Sequence, residues 1–269
     1  MAIVIPVLNQ VAYTRGCIDS LRAAGIADTR IIIINNGSSD GTVEFLAANP
    51  QIQAIHNPGN LGCGGAWTQG AEISKFPWTI IMNNDVLVPR DCIGNMVEFA
   101  TQGRFDIASP AMCEGEMDYD LAAHAAEFMQ RMSSAYRSGI AHGVCFMVHR
   151  RVFDAIGFFD SDPQLGGYED DEYFRRARKA GFRLAITGRA FLHHFGSITQ
   201  KSIKAASGGA ITTLGNREYY RRKTGQTWLK RKVAQVRNGA RDAWWRRSEL
   251  SRFGRSLHEL RLGGTWRYE

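Results

Sequence analysis

The chain has 269 residues and no apolar run that approaches the ~18 residues of a membrane-spanning helix. Its start, Met1-Ala2-Ile3-Val4-Ile5-Pro6, lacks the basic segment and small-residue cleavage site of a secretory signal. These residues are expected to enter the first core strand directly. Cysteine is sparse: Cys17, Cys63, Cys92, Cys113 and Cys145 are odd in number and lack CxxC spacing, which argues against a disulfide framework or a zinc knuckle. Reduced, buried thiols in a cytoplasmic protein are the expectation. There is no GK[ST] phosphate loop, no internal repeat and no long low-complexity segment.

What is present is the composition of a soluble globular protein, 44% hydrophobic and 22% charged. The net charge of +7 is carried by one end. Residues 201–269 hold 17 Lys and Arg against 5 Asp and Glu, whereas residues 1–200 carry a net −5.

β-Branched runs alternate with helical periodicity from the start. Ile3–Val7, Ile31–Ile34, Ile52–His56 and Trp78–Met82 read as strands. Ala12–Ala24, Thr42–Ala48, Gly64–Ile73 and Arg90–Thr101 read as helices between and after them. This βαβ rhythm predicts a parallel sheet covered on both faces, with ligands at the carboxyl ends of the strands. After Ala108 the rhythm breaks. Cys113–Tyr119 reads as irregular, Leu121–Met132 as helix, Gly143–His149 as strand, Arg150–Ile156 and Glu169–Ala180 as helices, and Phe182–Ile186 and Ala190–His193 as two short strands. From Asn216 the chain reads as helical, basic and rich in tryptophan.

Five clusters carry chemistry. Asn83-Asn84-Asp85 follows the Trp78–Met82 run, so one carboxylate is delivered to a strand end; a hard cation needs few protein oxygens when substrate phosphates and water complete its shell. Asn35-Asn36-Gly37-Ser38-Ser39-Asp40-Gly41-Thr42 closes a strand and opens a helix, as an ordinary capped loop also would. Asn57-Pro58-Gly59-Asn60-Leu61-Gly62-Cys63-Gly64-Gly65 permits close backbone approach and offers N–H groups to an anion, or serves tight helix–sheet packing. In Gly166-Gly167-Tyr168-Glu169-Asp170-Asp171-Glu172 the acids either complement a helix dipole or supply a general base. His193-His194-Phe195-Gly196-Ser197 ends a strand.

Taken in order with Ile5-Pro6-Val7-Leu8-Asn9 and the segment Gly143 to Asp160, these motifs resemble glycosyltransferase family 2 over roughly residues 1–200. They are most similar to its rhamnosyl- and galactofuranosyl-transferase branch, which builds cell-surface polysaccharide. The resemblance implies a GT-A fold, a Rossmann-like and mostly parallel sheet flanked by helices, and an inverting reaction on a nucleoside-diphosphate sugar with Mg²⁺ or Mn²⁺. Pro6, Val7 and Asn9 would line the base and ribose pocket, and Asn35 would meet the nucleobase. Asn60, Gly62 and Gly64 would lie near ribose and diphosphate, with Asn83 and Asn84 also on the donor. Asp85 and His193 would hold the metal, Asp170 would be the base, and Glu169 would bind acceptor hydroxyls. Asn83 and Asn35 stand where the family usually has acids, and Thr68 where it has asparagine.

The expected organisation is a catalytic domain over 1–204, with a donor half (1–109) and an acceptor half (110–204), and a basic helical extension over 205–269. The acceptor would be a saccharide or a lipid-linked saccharide. The basic, Trp-rich extension suits an anionic membrane surface better than nucleic acid, for which no module is present; packing on the domain and pairing of subunits stand as its alternatives. A cytoplasmic protein, peripheral on the inner membrane face if the tail binds there, is the expectation. A nucleotidyltransferase and a non-catalytic sugar-nucleotide-binding protein are the rival functions.

Overall fold

The computed structural model describes residues 1–196, 198 and 213–269. The isoleucine-rich runs form β1 (Ala2–Val7) and β2 (Ile31–Asn35), which with β3 (Gln53–His56) and β4 (Trp78–Met82) make the parallel order β3-β2-β1-β4. Between them lie α1 (Val11–Ala23), α2 (Thr42–Ala47) and α3 (Gly62–Ile73). Strand alternation sorts the side chains into two cores. Ile3, Ile5, Val7, Ile31 and Ile33 pack with Cys17, Ile18 and Leu21 of α1 and with α4 (Cys92–Gly103). Val4, Ile32 and Ile34 face Ala66, Trp67 and Ala71 of α3 on the other side. There Gly70 lies directly on Val4, and a Cβ at Gly70 would strike the valine methyls.

Beyond β4 the sheet becomes mixed. The short β5 (Val86–Leu87) follows Asp85, and β8 (Cys145–His149) inserts antiparallel between β4 and β6 (Ile107–Gly115). The expectation of a parallel sheet therefore holds for its first half. Cys113–Tyr119, expected to be irregular, is overlapped by the end of β6, because that stretch pairs on both edges: with β9 (Leu184–His194) and with a strand from the C-terminus. The two short strands expected around residues 182–193 are this single β9, which carries a register shift opposite Pro110 and Ala111. It also takes up β7 (Tyr136–Ser138) and β5 along its other edge. Helix α5 (Leu121–Arg131) covers β9, while α6 (Arg150–Ile156) and α7 (Glu169–Lys179) cover the face shared with α3.

The C-terminal extension is helical over α8 (Thr213–Lys223) and α9 (Trp228–Phe253), and then departs from expectation. It ends in a hairpin, β10 (His258–Leu262) and β11 (Thr265–Tyr268), whose first strand runs parallel to β6 and lengthens the main sheet. The 204/205 boundary lies outside the described residues. Buried charge ties the extension down. Arg137 of β7 makes a bidentate pair with Glu249 of α9 at 2.8 and 2.9 Å and also bonds Ser256 Oγ at 2.9 Å. Glu259, fully buried in β10, meets His124 at 2.9 Å and Arg255 at 3.2 Å. Among the described residues no helix is long and apolar enough to cross a membrane.

Candidate active site

The carboxyl ends of β1, β2 and β3 are laced together by short polar side chains. Asn9 stands in the left-handed region at φ 58°; its N–H donates to Ser38 Oγ (2.8 Å) and its Oδ1 accepts from Ser39 N (2.7 Å). Asp40 accepts from Val11 N at 2.8 Å and from the Thr42 hydroxyl at 2.6 Å. Partial burial raises the Asp40 carboxyl, but those donors outweigh it and leave the pKa below the usual value. Asn35 Oδ1 accepts from Ser38 N (3.0 Å), and its amide meets His56 Nδ1 at 3.1 Å. Asn36 donates to Asn60 Oδ1 (3.3 Å) and to the Gly62 carbonyl (3.2 Å), while Asn60 accepts from Gly62 N at 2.9 Å. Asn9, Asn35 and Asn60 thus share one rim, with Pro6 half-buried at its edge.

Val7 does not join them. It is 1% exposed and its side chain packs in the core with α1, because it has the same strand parity as Ile3 and Ile5. The glycines also have a packing role. Helix α3 begins at Gly62, earlier than expected, so Gly64 sits in its first turn. A Cβ on Gly64 would collide with the Asp160 carbonyl and press on Glu169 Cγ. Glycine here lets the loop before α7 close over the start of α3.

Asn83, Asn84 and Asp85 diverge after β4. Asn83 is half-buried and its N–H donates to the Val144 carbonyl at 2.9 Å. Asn84 turns away from the rim: it is buried, and its amide donates to Thr14 Oγ1 of α1 at 3.0 Å, so it anchors the turn instead of reaching a donor. Asp85 is buried at the sheet end; its Oδ2 accepts from Ile198 N at 3.0 Å.

The histidine beside Asp85 is His194, not His193. His194 Nε2 lies 3.4 Å from Asp85 Oδ1, and its Nδ1 lies 3.2 Å from Glu114 Oε2. Successive residues of β9 face opposite ways, so His193 points to the other side. There it meets the Tyr119 hydroxyl at 2.9 Å and packs edge-on against Phe195. Burial, and then the neighbouring His194, push the His193 imidazole down to about 4. Burial would also lower His194, but Asp85 and Glu114 outweigh it and bring it up to about 9. Burial raises Asp85, and His194 and the Ile198 N–H overcome this, so its carboxyl stays below the ordinary range. Ser197, the last residue of the histidine motif, lies outside the described residues.

This donor set fits a divalent cation in part. An imidazole backed on its far nitrogen by a carboxylate, as Glu114 backs His194, is the arrangement that orients a histidine ligand. Among the described residues no three His, Cys, Asp or Glu side chains converge to form a closed metal cage. The set therefore suits a cation that draws its remaining oxygens from a substrate diphosphate and water.

The acids of α7 stand on the same end of the sheet. The segment leading into β8 brings Val144 beside Asn83, and the Asp170 carboxylate lies over Gly143, where a Cβ would strike it. Asp170 is half-buried; desolvation, followed by Asp171 and Glu169, pushes it up to about 7 despite the N–H groups of the helix start. Glu169 is 6% exposed and accepts from Gly167 N at 2.7 Å. Burial raises it, against backbone donors that include Tyr168 and Gly64. Glu169 thus braces the loop against α3 and offers little to an acceptor hydroxyl.

A carboxylate poised near neutrality sets a pH dependence. With its pKa raised, Asp170 holds its proton in the folded state while the unfolded chain loses it above ~4. Its contribution therefore falls as pH rises from ~4 to ~7, and stability with it. As a base it must be ionised, so kcat/KM for transfer is expected to climb with pH to a plateau, with a midpoint of about 7. A profile flat across roughly pH 5 to 8 would remove Asp170 from that role.

The glycosyl transferase family 2 profile matches residues 2–157. The putative glycosyltransferase EpsH of Bacillus subtilis (strain 168) is 23% identical over 198 residues, covering 72% of this chain and 52% of its own. The uncharacterized glycosyltransferase RT0329 of Rickettsia typhi is 25% identical over 171 residues, 60% of this chain and 53% of its own. The chain thus spans about half the length of these curated relatives. Among solved structures, S. aureus TarS 1-349 superposes with a TM-score of 0.56 at 12% identity, covering 73% of this chain and 60% of that one. The mannosyltransferase PcManGT of Pyrobaculum calidifontis, in complex with GDP-Man and Mn²⁺, gives 0.54 at 18% identity, over 72% and 56%. These likenesses establish the GT-A fold, and the profile covers more than half of the chain. The chain belongs to glycosyltransferase family 2.

Proposed function

We propose that this glycosyltransferase is inverting, and that it moves a sugar from a nucleoside-diphosphate sugar to a hydroxyl of a saccharide or lipid-linked saccharide in surface polysaccharide synthesis. The observation that carries this reading is the Asp170 carboxylate, raised to about 7 and lying over Gly143, on the sheet end that also presents Asp85. Asp170 takes the proton of the acceptor hydroxyl while that oxygen forms a bond to C1 of the sugar. The bond from C1 to the diphosphate oxygen breaks on the opposite face, and the nucleoside diphosphate leaves. Asn9, Asn35 and Asn60, on the rim of β1 to β3, bind the nucleoside, and the α3 N-terminus lies toward its diphosphate.

Asp85 and His194, in place of the expected His193, would hold a Mg²⁺ or Mn²⁺ ion. When bound, such an ion offsets the charge on the leaving diphosphate. Residues 1–109 form the donor half and 110–204 the acceptor half, with 205–269 as the extension. The rival nucleotidyl reading lacks the glycine-rich, basic segment expected after β1, where Leu8-Asn9-Gln10 stands instead. The relevant test is thermal shift against UDP-, GDP- and dTDP-sugars with and without Mn²⁺. One nucleotide class should raise Tm, and raise it more with metal. No shift with any of them would overturn the donor assignment.

A further inference from the structure

Helix α9 turns Arg231, Asn238, Arg241 and Glu249 toward the protein and carries an apolar stripe outward. Arg231, Ala234, Asn238, Arg241, Trp245, Ser248 and Glu249, at spacings of one to four residues, are partly or fully buried, as are Leu250 and Phe253 at the helix end. On the opposite side Leu229 is 64% exposed, Val233 59%, Val236 73% and Trp244 64%. With Ala240 these four fall within an arc of about 80° at 100° per residue. A helix packed only on its own domain would bury that stripe.

The flanks of the stripe are cationic. Lys230 and Arg237 border it on one side and Lys232 and Arg246 on the other, Arg247 continues its line, and Asp242 is the sole acid between residues 228 and 247. A cleft of about 600 Å³ opens beside it, between α8, α9 and the loop before α7, lined by Tyr168, Arg217, Tyr220, Arg221, Trp228 and Arg231. Among the described residues, Arg231 Nε is buried with no hydrogen-bond partner. Partial desolvation, and then Arg217 and Arg231, hold the Arg221 guanidinium below its ordinary value. Such crowding is relieved by an anion, and guanidinium forks match phosphate oxygens.

Charge decides the occupant. Two copies pairing stripe to stripe would bring their basic flanks together with one acid each to offset them. A nucleic acid would use the cations but leave Leu229, Val233 and Val236 in water. An anionic bilayer satisfies both: aliphatic groups and tryptophan enter the headgroup boundary, and Lys and Arg reach lipid phosphates.

We propose that the outer face of α9 docks on an anionic lipid bilayer, with a lipid phosphate held in the α8–α9 cleft. Tyr168, on the wall of that cleft, immediately precedes Glu169 and Asp170. A lipid-borne acceptor is thereby presented beside the candidate base. This deepens the transferase reading, and its acceptor side rests on that reading.

Co-sedimentation of the full chain with phosphatidylcholine vesicles, with and without phosphatidylglycerol, tests it. Wild type should bind the anionic vesicles, and added salt should weaken binding. Each basic group near the surface contributes about fivefold, so Arg221→Gln with Arg231→Gln should lower binding by roughly 10- to 30-fold. Val236→Glu with Trp244→Glu should abolish binding while leaving Tm and donor hydrolysis unchanged, since both side chains are exposed. Failure of wild type to bind anionic vesicles, or equal binding by the stripe variant, overturns the proposal. So does a wild-type dimer that the stripe variant dissolves without change in vesicle binding. Donor hydrolysis is read separately, so loss of the docking role leaves the transferase reading standing or falling on its own assay.

Discussion

Asp170→Asn is expected to lower sugar transfer by about 10²–10⁴-fold, the usual contribution of a general base, while donor affinity stays near that of wild type. The carboxylate lies over Gly143, so asparagine fits the same space and the loss is chemical. The same change removes a group that burial holds near neutrality, so the variant should be at least as stable as wild type above pH ~7. Single-turnover transfer and donor titration by calorimetry separate these effects. Near-wild-type turnover by the variant would reassign the base.

Arg137→Met is expected to cost about 3–5 kcal/mol of stability, because it strands Glu249 as a buried, uncompensated charge. For a chain of this size that lowers Tm by roughly 10 °C. The cost arises in the folded state: Glu249 also accepts from Ser256 Oγ and Leu257 N, both at 3.0 Å, so its carboxylate cannot swing into water without releasing the start of the hairpin. Arg137→Met with Glu249→Leu should recover much of the loss, since removing both partners leaves no orphaned charge. An unchanged Tm in the single variant would show that the extension is not fastened to β7. Calorimetric melting reads both outcomes.

The two variants probe parts of the molecule that differed in legibility. The β-branched runs of β1, β2 and β4 declare themselves because both faces of those strands are buried. The start of α7 and its acids follow from a clear N-terminal pattern. The choice between His193 and His194 could not be read from spacing: in a strand only the pairing partners fix which parity faces Asp85, and here β5 and β6 fix it. Val7 and Asn84 are neighbours of true rim residues, one turned into the core by parity and the other drawn to Thr14. The terminal hairpin was hidden by its charges. His258, Glu259, Arg261 and Arg267 fall in a tail expected to be helical and basic, yet Glu259 is buried in a strand because His124 and Arg255 meet it. The signal for His194 and Glu114 lay in long-range pairing, which composition does not carry.

The measurement that bears most directly on the assignment is product analysis after incubating the full chain with its preferred sugar nucleotide and Mg²⁺ or Mn²⁺. Slow release of the nucleoside diphosphate, accelerated by a hydroxyl acceptor and suppressed in Asp170→Asn, is the predicted result. With pyrophosphate added to the same incubation, its conversion with the sugar nucleotide to nucleoside triphosphate and sugar 1-phosphate, with no nucleoside diphosphate formed, would contradict it.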